Sequence, residues 1–217
     1  MISSALAAPV RVACVGDSIT YGAGAPKNWA YPDQLGRILG SGYDLRNFGV
    51  SGTTMLRHGD FPYDVRPEFK AALAFKPDIL ILMLGTNDTK SQNWGTHSAE
   101  FEGDYRWMVG QFQAVNPSMK IFLCRPPWVV GKGGYGIKEA GVESEIPIID
   151  RIASSMNTSL IDMHVVLLNH PEYLPDNVHP NQAGAALMAK AAYKAVTGKD
   201  YVGQVPPPAA PSAPKAP

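Results

Sequence analysis

The sequence predicts a three-layer α/β/α domain built on a five-stranded parallel sheet. Two observations carry this. Short runs rich in Val, Ile and Leu alternate with helix-period segments along the chain, the pattern of parallel strands joined by crossover helices. One run, Ile79-Leu80-Ile81-Leu82-Met83-Leu84, is apolar throughout, as a central strand covered on both faces must be.

The elements follow in order. Strand one is expected at about Val10 to Val15 and stops abruptly at Gly16-Asp17-Ser18. A helix follows from about Trp29 to Leu39, then strand two at about Tyr43 to Phe48 and a helix near Arg66 to Phe75. After strand three a longer helix runs from about Ser98 to Val115. Strand four, Lys120 to Cys124, is stopped by Pro126-Pro127, because proline cannot donate to a sheet ladder. A helix near Glu143 to Met156 leads to strand five, Ser159 to Met163. The last helix opens after His179-Pro180, with proline at its first turn, and runs to about Val196. By analogy with flavodoxin-like sheets, five such units take the strand order 2-1-3-4-5.

Composition narrows the function. Lys+Arg and Asp+Glu are both 19 in 217 residues, so the balanced chain carries no basic block for nucleic acid or an anionic membrane. No apolar stretch approaches the ~20 residues of a membrane span. Cys14 and Cys124 fall inside strands and read as buried apolar residues rather than a redox pair. The five histidines, at 58, 97, 164, 170 and 179, show no ligand spacing, so neither a metal nor a cofactor is expected.

Residues 1–9 form a small, apolar extension in which Ala5-Leu6-Ala7 resembles the end of a signal peptide. Residues 10–203 are the expected domain, and residues 204–217 are a Pro/Ala-rich tail that reads as an extended linker. Together they suggest a periplasmic or secreted protein, with a further domain after the tail.

Three signatures follow strands one, two and three: Ser18; Asn47-Phe48-Gly49-Val50-Ser51-Gly52-Thr53; and Gly85-Thr86-Asn87-Asp88. In the order 2-1-3 the second and third flank the first. The carboxyl edge of such a sheet is where ligands bind. A hydroxyl with donors on either side of a developing oxyanion is the geometry of acyl transfer. The donors are the amide of Ser18, the amide of Gly52 and the side-chain amide of Asn87. Gly49 is the rival second donor, and Gly52 is preferred because it lies further past the strand end.

A serine needs a base. Asp176 and His179 lie three residues apart in Leu174-Pro175-Asp176-Asn177-Val178-His179-Pro180. His179 takes the Ser18 proton, and Asp176 orients and charge-stabilises the imidazole. Strand five lies three strands from strand one, roughly 14 Å at ~4.8 Å per strand. The connection from His164 to Val178, longer than the ~4–6 residues usual for such joins, is expected to be a long loop that carries the pair back across the edge.

Alone, each signature also reads as a turn, a helix cap or a surface ion pair. Together, Gly16-Asp17-Ser18-Ile19-Thr20, the Gly52 segment, Gly85-Thr86-Asn87-Asp88 and Asp176-Asn177-Val178-His179-Pro180 resemble the successive blocks of the SGNH (GDSL-type) hydrolase family, over about Val10 to Val196. The resemblance implies a Ser18–His179–Asp176 triad and an oxyanion hole of Ser18, Gly52 and Asn87. It departs from some members in having Ile-Thr after the serine. The Gly-x-Ser-x-Gly elbow of ordinary α/β-hydrolases is missing.

The ester is read from the loops. Trp128 to Gly136 is glycine-rich and aromatic, Ser91-Gln92-Asn93-Trp94 follows strand three, and Arg57-His58-Gly59-Asp60 follows strand two. Trp and Tyr faces beside polar groups suit sugar rings, which makes Asp17, His58, Trp94, Trp128 and Tyr135 the candidate substrate contacts. The partner is then a small-molecule or oligosaccharide ester, and the activity a carbohydrate O-acetylesterase. The alternatives are a short-chain acylesterase or lysophospholipase/thioesterase of the same fold, a non-catalytic sugar binder, or a flavodoxin-like flavin module with Ser18 to Gly24 around the phosphate.

Overall fold

A computed structural model describes residues 8–209, so the expectations for 1–7 and 210–217 lie outside the described residues. Five parallel strands form one sheet: β1 (Val10–Gly16), β2 (Tyr43–Gly49), β3 (Ile79–Met83), β4 (Lys120–Arg125) and β5 (Ser159–Asp162). Their order is β2-β1-β3-β4-β5, and each neighbouring pair is parallel. β1 and β3 run in register from Val12 opposite Ile79 to Gly16 opposite Met83, so their carboxyl ends finish side by side.

The helices are α1 (Ser18–Tyr21), α2 (Tyr31–Leu39), α3 (Pro67–Phe75), α4 (Ser91–His97), α5 (Phe101–Val115), α6 (Glu139–Ser155), α7 (Met163–Leu167) and α8 (Gln182–Thr197). Strand side chains alternate between faces, so each strand feeds two cores. Val12, Cys14, Ile79, Ile81 and Met83 pack with Leu35, Met188 and Ala192 on the α2–α8 side. Ala13, Val15, Leu80 and Leu82 pack with Phe69, Tyr105, Phe112 and Ile149 on the side of α3, α5 and α6. Both cysteines are free and fully buried. Among the described residues no helix is long and apolar enough to cross a membrane.

The structure corrects several boundaries. The segment after Met163 is not one long loop. Asp162 caps α7 through Val165 N, a 3-10 turn spans Pro171–Tyr173, and Met163, Leu167 and Leu174 are buried in the α2–α8 core. Ser91-Gln92-Asn93-Trp94 is the start of α4 rather than a loop. α6 starts at Glu139, four residues before expected, and continues through Pro147. Pro180 stands outside the last helix, because Asn181 is the cap and accepts from the amides of Ala183 and Gly184. The tail residues 204–209 have no regular structure, yet Val205 packs against the α2–α8 core and the Pro206 carbonyl accepts from Arg37. The packed domain therefore extends past residue 203.

Candidate active site

Asp17 directly follows β1 and caps α1, its Oδ1 accepting from Ile19 N at 2.9 Å. This turn sets Ser18 at the first position of a four-residue helix, at the carboxyl edge of the sheet. The turn needs small residues around it. A Cβ on Gly16 would strike Thr20 and the Met83 carbonyl, and one on Gly49 would strike the backbone of Tyr21. β1, β2 and α1 therefore meet where only hydrogen fits.

His179 Nε2 lies 2.9 Å from Ser18 Oγ, and His179 Nδ1 lies 2.7 Å from Asp176 Oδ2. Asp176 Oδ1 accepts from the amides of His179 at 2.7 Å and Val178 at 3.0 Å, so the turn that carries the carboxylate also fixes it. Tyr135 Oη donates to Asp176 Oδ2 at 3.1 Å. Burial alone pushes the Asp176 carboxyl up, but the bonds from the His179 amide and ring and the Val178 amide outweigh it and hold it at about 2. The carboxylate is thus ionised throughout the neutral range.

Gly52 has φ of 84°, the left-handed region that favours glycine. The amides of Ser18 and Gly52 donate to no atom among the described residues. Gly49 is otherwise engaged, donating to Asn47 Oδ1 at 2.9 Å. Asn87, buried, donates through Nδ2 to the Thr53 carbonyl at 3.1 Å and approaches Asp17 Oδ2 at a long 3.5 Å. The carbonyl of Asn87 accepts from Asn93 Nδ2 at 3.0 Å, which ties it to α4. Asp88 accepts from the amides of Met55 at 2.9 Å and Leu56 at 2.6 Å, locking the loop after β2 to the loop after β3. Asp60 and Asn93 bond reciprocally and close the same join.

A cavity of about 360 Å³ opens over Ser18, lined among others by Gly52, Asn87, Lys90, Tyr135, Ile137 and His179. Two larger clefts, one lined by α2, α8 and residues 204–207 and one by α2, β2 and residues 208–209, do not include Ser18, although the first shares Gly24 with this cavity. Of the expected contacts, Ser18, Gly52, Asn87, Tyr135, Asp176 and His179 come together here. Four others do not. Asp17 is fully buried behind Ser18 as a helix cap. Trp94 packs edge-on against Phe101 at 5.3 Å, because α4 turns it inward. Trp128 packs against the α2–α8 core. His58 pairs with Glu100 at 2.6 Å instead of facing Ser18. Lys90 was missed, although it stands only three residues after Asn87. Glu145 was also missed. It lies buried beside Gly85, and nothing in the sequence links α6 to that loop.

The five-stranded parallel sheet with helices on both faces is the framework on which this edge site is built. Residues 14–187 match the model of the GDSL-like lipase/acylhydrolase family, and the chain belongs to that family. An acetylxylan esterase of Xylanibacter ruminicola is 38% identical over 205 residues, covering 83% of this chain. The chain spans only 42% of that relative's length. A carbohydrate acetylesterase structure from Sinorhizobium meliloti superposes with a TM-score of 0.73 at 21% identity, over 87% of this chain and 99% of its own. The aryl esterase of M. smegmatis gives 0.68 at 20% identity, over 87% and 99%. These likenesses show a shared fold.

Proposed function

We propose that the protein is a serine esterase that removes acetyl groups from carbohydrate. The observation that carries this reading is the unbroken chain Ser18 Oγ to His179 Nε2 at 2.9 Å and His179 Nδ1 to Asp176 Oδ2 at 2.7 Å. Ser18 Oγ attacks the acetyl carbonyl carbon while His179 Nε2 takes the hydroxyl proton. The carbonyl oxygen becomes an oxyanion held by the Ser18 and Gly52 amides and the weakly engaged second N–H of Asn87. His179 returns its proton to the sugar oxygen, which leaves as an alcohol. Water then gives a proton to His179 and attacks acetyl-Ser18, and His179 passes that proton to Ser18 Oγ as the acyl bond breaks and acetate leaves.

Two features support a small acyl group. The cavity is modest in volume, and its wall near Ser18 is built by Ala23, Tyr135 and Ile137. The sugar reading rests on the acetylxylan esterase relative. The test is acetate release from acetylated xylo-oligosaccharides against a series of 4-nitrophenyl esters. Higher kcat/KM on the acetylated sugar is expected. A preference for octanoyl or longer esters overturns it in favour of a lipid acylhydrolase.

A further inference from the structure

His58, His97 and Glu100 converge from segments that the sequence keeps up to 42 residues apart. His58 lies in the turn after β2, His97 ends α4, and Glu100 closes the 3-10 turn Ser98–Glu100 that leads into α5. One carboxylate serves both rings: Glu100 Oε2 lies 2.6 Å from His58 Nδ1, and Glu100 Oε1 lies 2.9 Å from His97 Nδ1. The three prospective donor atoms all lie within 4.8 Å of one another. From these positions we infer that His58, His97 and Glu100 form a binding site for a zinc-class divalent cation, separate from the esterase centre.

The donor set decides the class of ion. Two imidazoles and one carboxylate suit zinc, nickel or copper, whereas magnesium and calcium take oxygen ligands. Tetrahedral zinc with bonds of ~2.0–2.1 Å sets its ligand atoms ~3.3 Å apart. The observed spacings, 2.6 Å to Glu100 Oε2 and 2.9 Å to Glu100 Oε1, need to open by about 0.4–0.7 Å, with one carboxylate oxygen then serving as the ligand. Three protein ligands leave a fourth position for water. The His58 side chain is 73% exposed, so the ion has direct access.

The backbone beside His58 is already anchored. The Arg57 amide donates to Asp104 Oδ2 at 2.8 Å, and the Arg57 guanidinium pairs with Asp64 and lies 4.0 Å over the Trp107 ring. A cation there ties the loop after β2 to the α4–α5 junction. The loop after β2 is also joined to the loop after β3 by Asp88 and to α4 by the Asp60–Asn93 pair. The site is a structural tie and takes no part in ester cleavage.

Calorimetric titration of the protein, purified without a histidine tag, with zinc chloride tests this, with magnesium chloride as the control. One zinc per chain is expected, with a rise in Tm and no response to magnesium. His58→Ala and His97→Ala should each weaken zinc binding beyond the ~10–100-fold that loss of a second-shell partner costs. Both variants should keep the circular dichroism and metal-free esterase rate of the parent. Absence of saturable one-to-one binding overturns the proposal. So does undiminished binding in both variants, which would move zinc to another pair such as His164–Glu139.

Discussion

Tyr135 and His179 share one oxygen: Tyr135 Oη donates to Asp176 Oδ2 at 3.1 Å, and His179 Nδ1 contacts the same atom at 2.7 Å. The Tyr135 ring stands edge-on to the imidazole at 5.3 Å. The loop after β4 thus braces the turn before α8, and the tyrosine that the sequence offers as a sugar platform also buttresses the acid–base pair. Tyr135→Phe keeps the ring and removes one donor. A net hydrogen bond of ~0.5–1.5 kcal/mol predicts a fall in kcat of about 2–10-fold on an acetyl ester. A change confined to KM would return Tyr135 to a purely substrate-binding role.

Asp176 is held at about 2 by its amide and imidazole donors against the opposing effect of burial. Its folded-state value lies below the ordinary 3.8, so its stabilising effect is present above that pH and is lost as pH falls through about 2. Asp176→Asn should therefore flatten the acid end of the stability curve. It should also leave His179 without its charge partner, lowering kcat on the order of 10³–10⁴-fold. Stopped assays and acid denaturation of the same variant read the two effects. An intact rate would remove Asp176 from the mechanism.

Much of this centre was legible in the sequence because it lies at strand ends. Apolar runs locate β1 and β3, the mixed segment Tyr43–Gly49 forms β2 beside them, and the residues just past each strand fall at the sheet edge whatever the helix boundaries are. Ser18, Gly52 and Asn87 needed only that rule and the strand order. The path of His179 was less visible. The connection before it is visibly long, but α7 hides in it, although Asp162 as a cap with Met163 and Leu167 four residues apart is a readable signal. The loop aromatics failed for a different reason. Trp94 and Trp128 sit near the site in sequence, but their orientation depends on tertiary packing against Phe101 and the α2–α8 core, which no local pattern encodes. The meeting of His58, His97 and Glu100 is likewise a product of the fold, since their spacing matches no ligand motif.

Asn87 and Gly52 bear on the oxyanion differently, and their variants should separate. Asn87→Ala removes a side-chain donor and leaves the Thr53 carbonyl without its 3.1 Å partner. Its kcat should drop on the order of 10²–10³-fold with KM little changed. Gly52→Ala finds room for a Cβ, whose nearest neighbour is Phe61 at 4.0 Å, but must hold φ near 84°. It should cost about 1–2 kcal/mol of stability through backbone strain, with a loss of kcat as the amide shifts. Unchanged kcat in Asn87→Ala would strike that residue from the oxyanion hole.

Glu145 lies fully buried on α6, and neither carboxyl oxygen has a hydrogen-bond partner among the described residues. It presses beneath the loop that carries Asn87, for a Cβ on Gly85 would collide with Glu145 Oε2. Burial pushes its carboxyl well up, and repulsion from Asp88 and Asp17 adds to this. Burial also lifts Asp17 to about 6 and Asp88 to about 8, against the amide bonds that each accepts. All three take up protons on folding, so their effect has one sign. Stability is greatest below the ordinary carboxyl values and falls as pH climbs toward the raised folded-state values. Glu145→Gln has no proton to lose and should weaken that fall. Thermal melts across roughly pH 4 to 9 should show little difference at the acid end and a widening gain for the variant above neutrality, at ~2–4 °C for each kcal/mol. Parallel curves would mean that Glu145 is ionised in the folded protein, with a counter-charge or bound water supplying the partner that its oxygens lack.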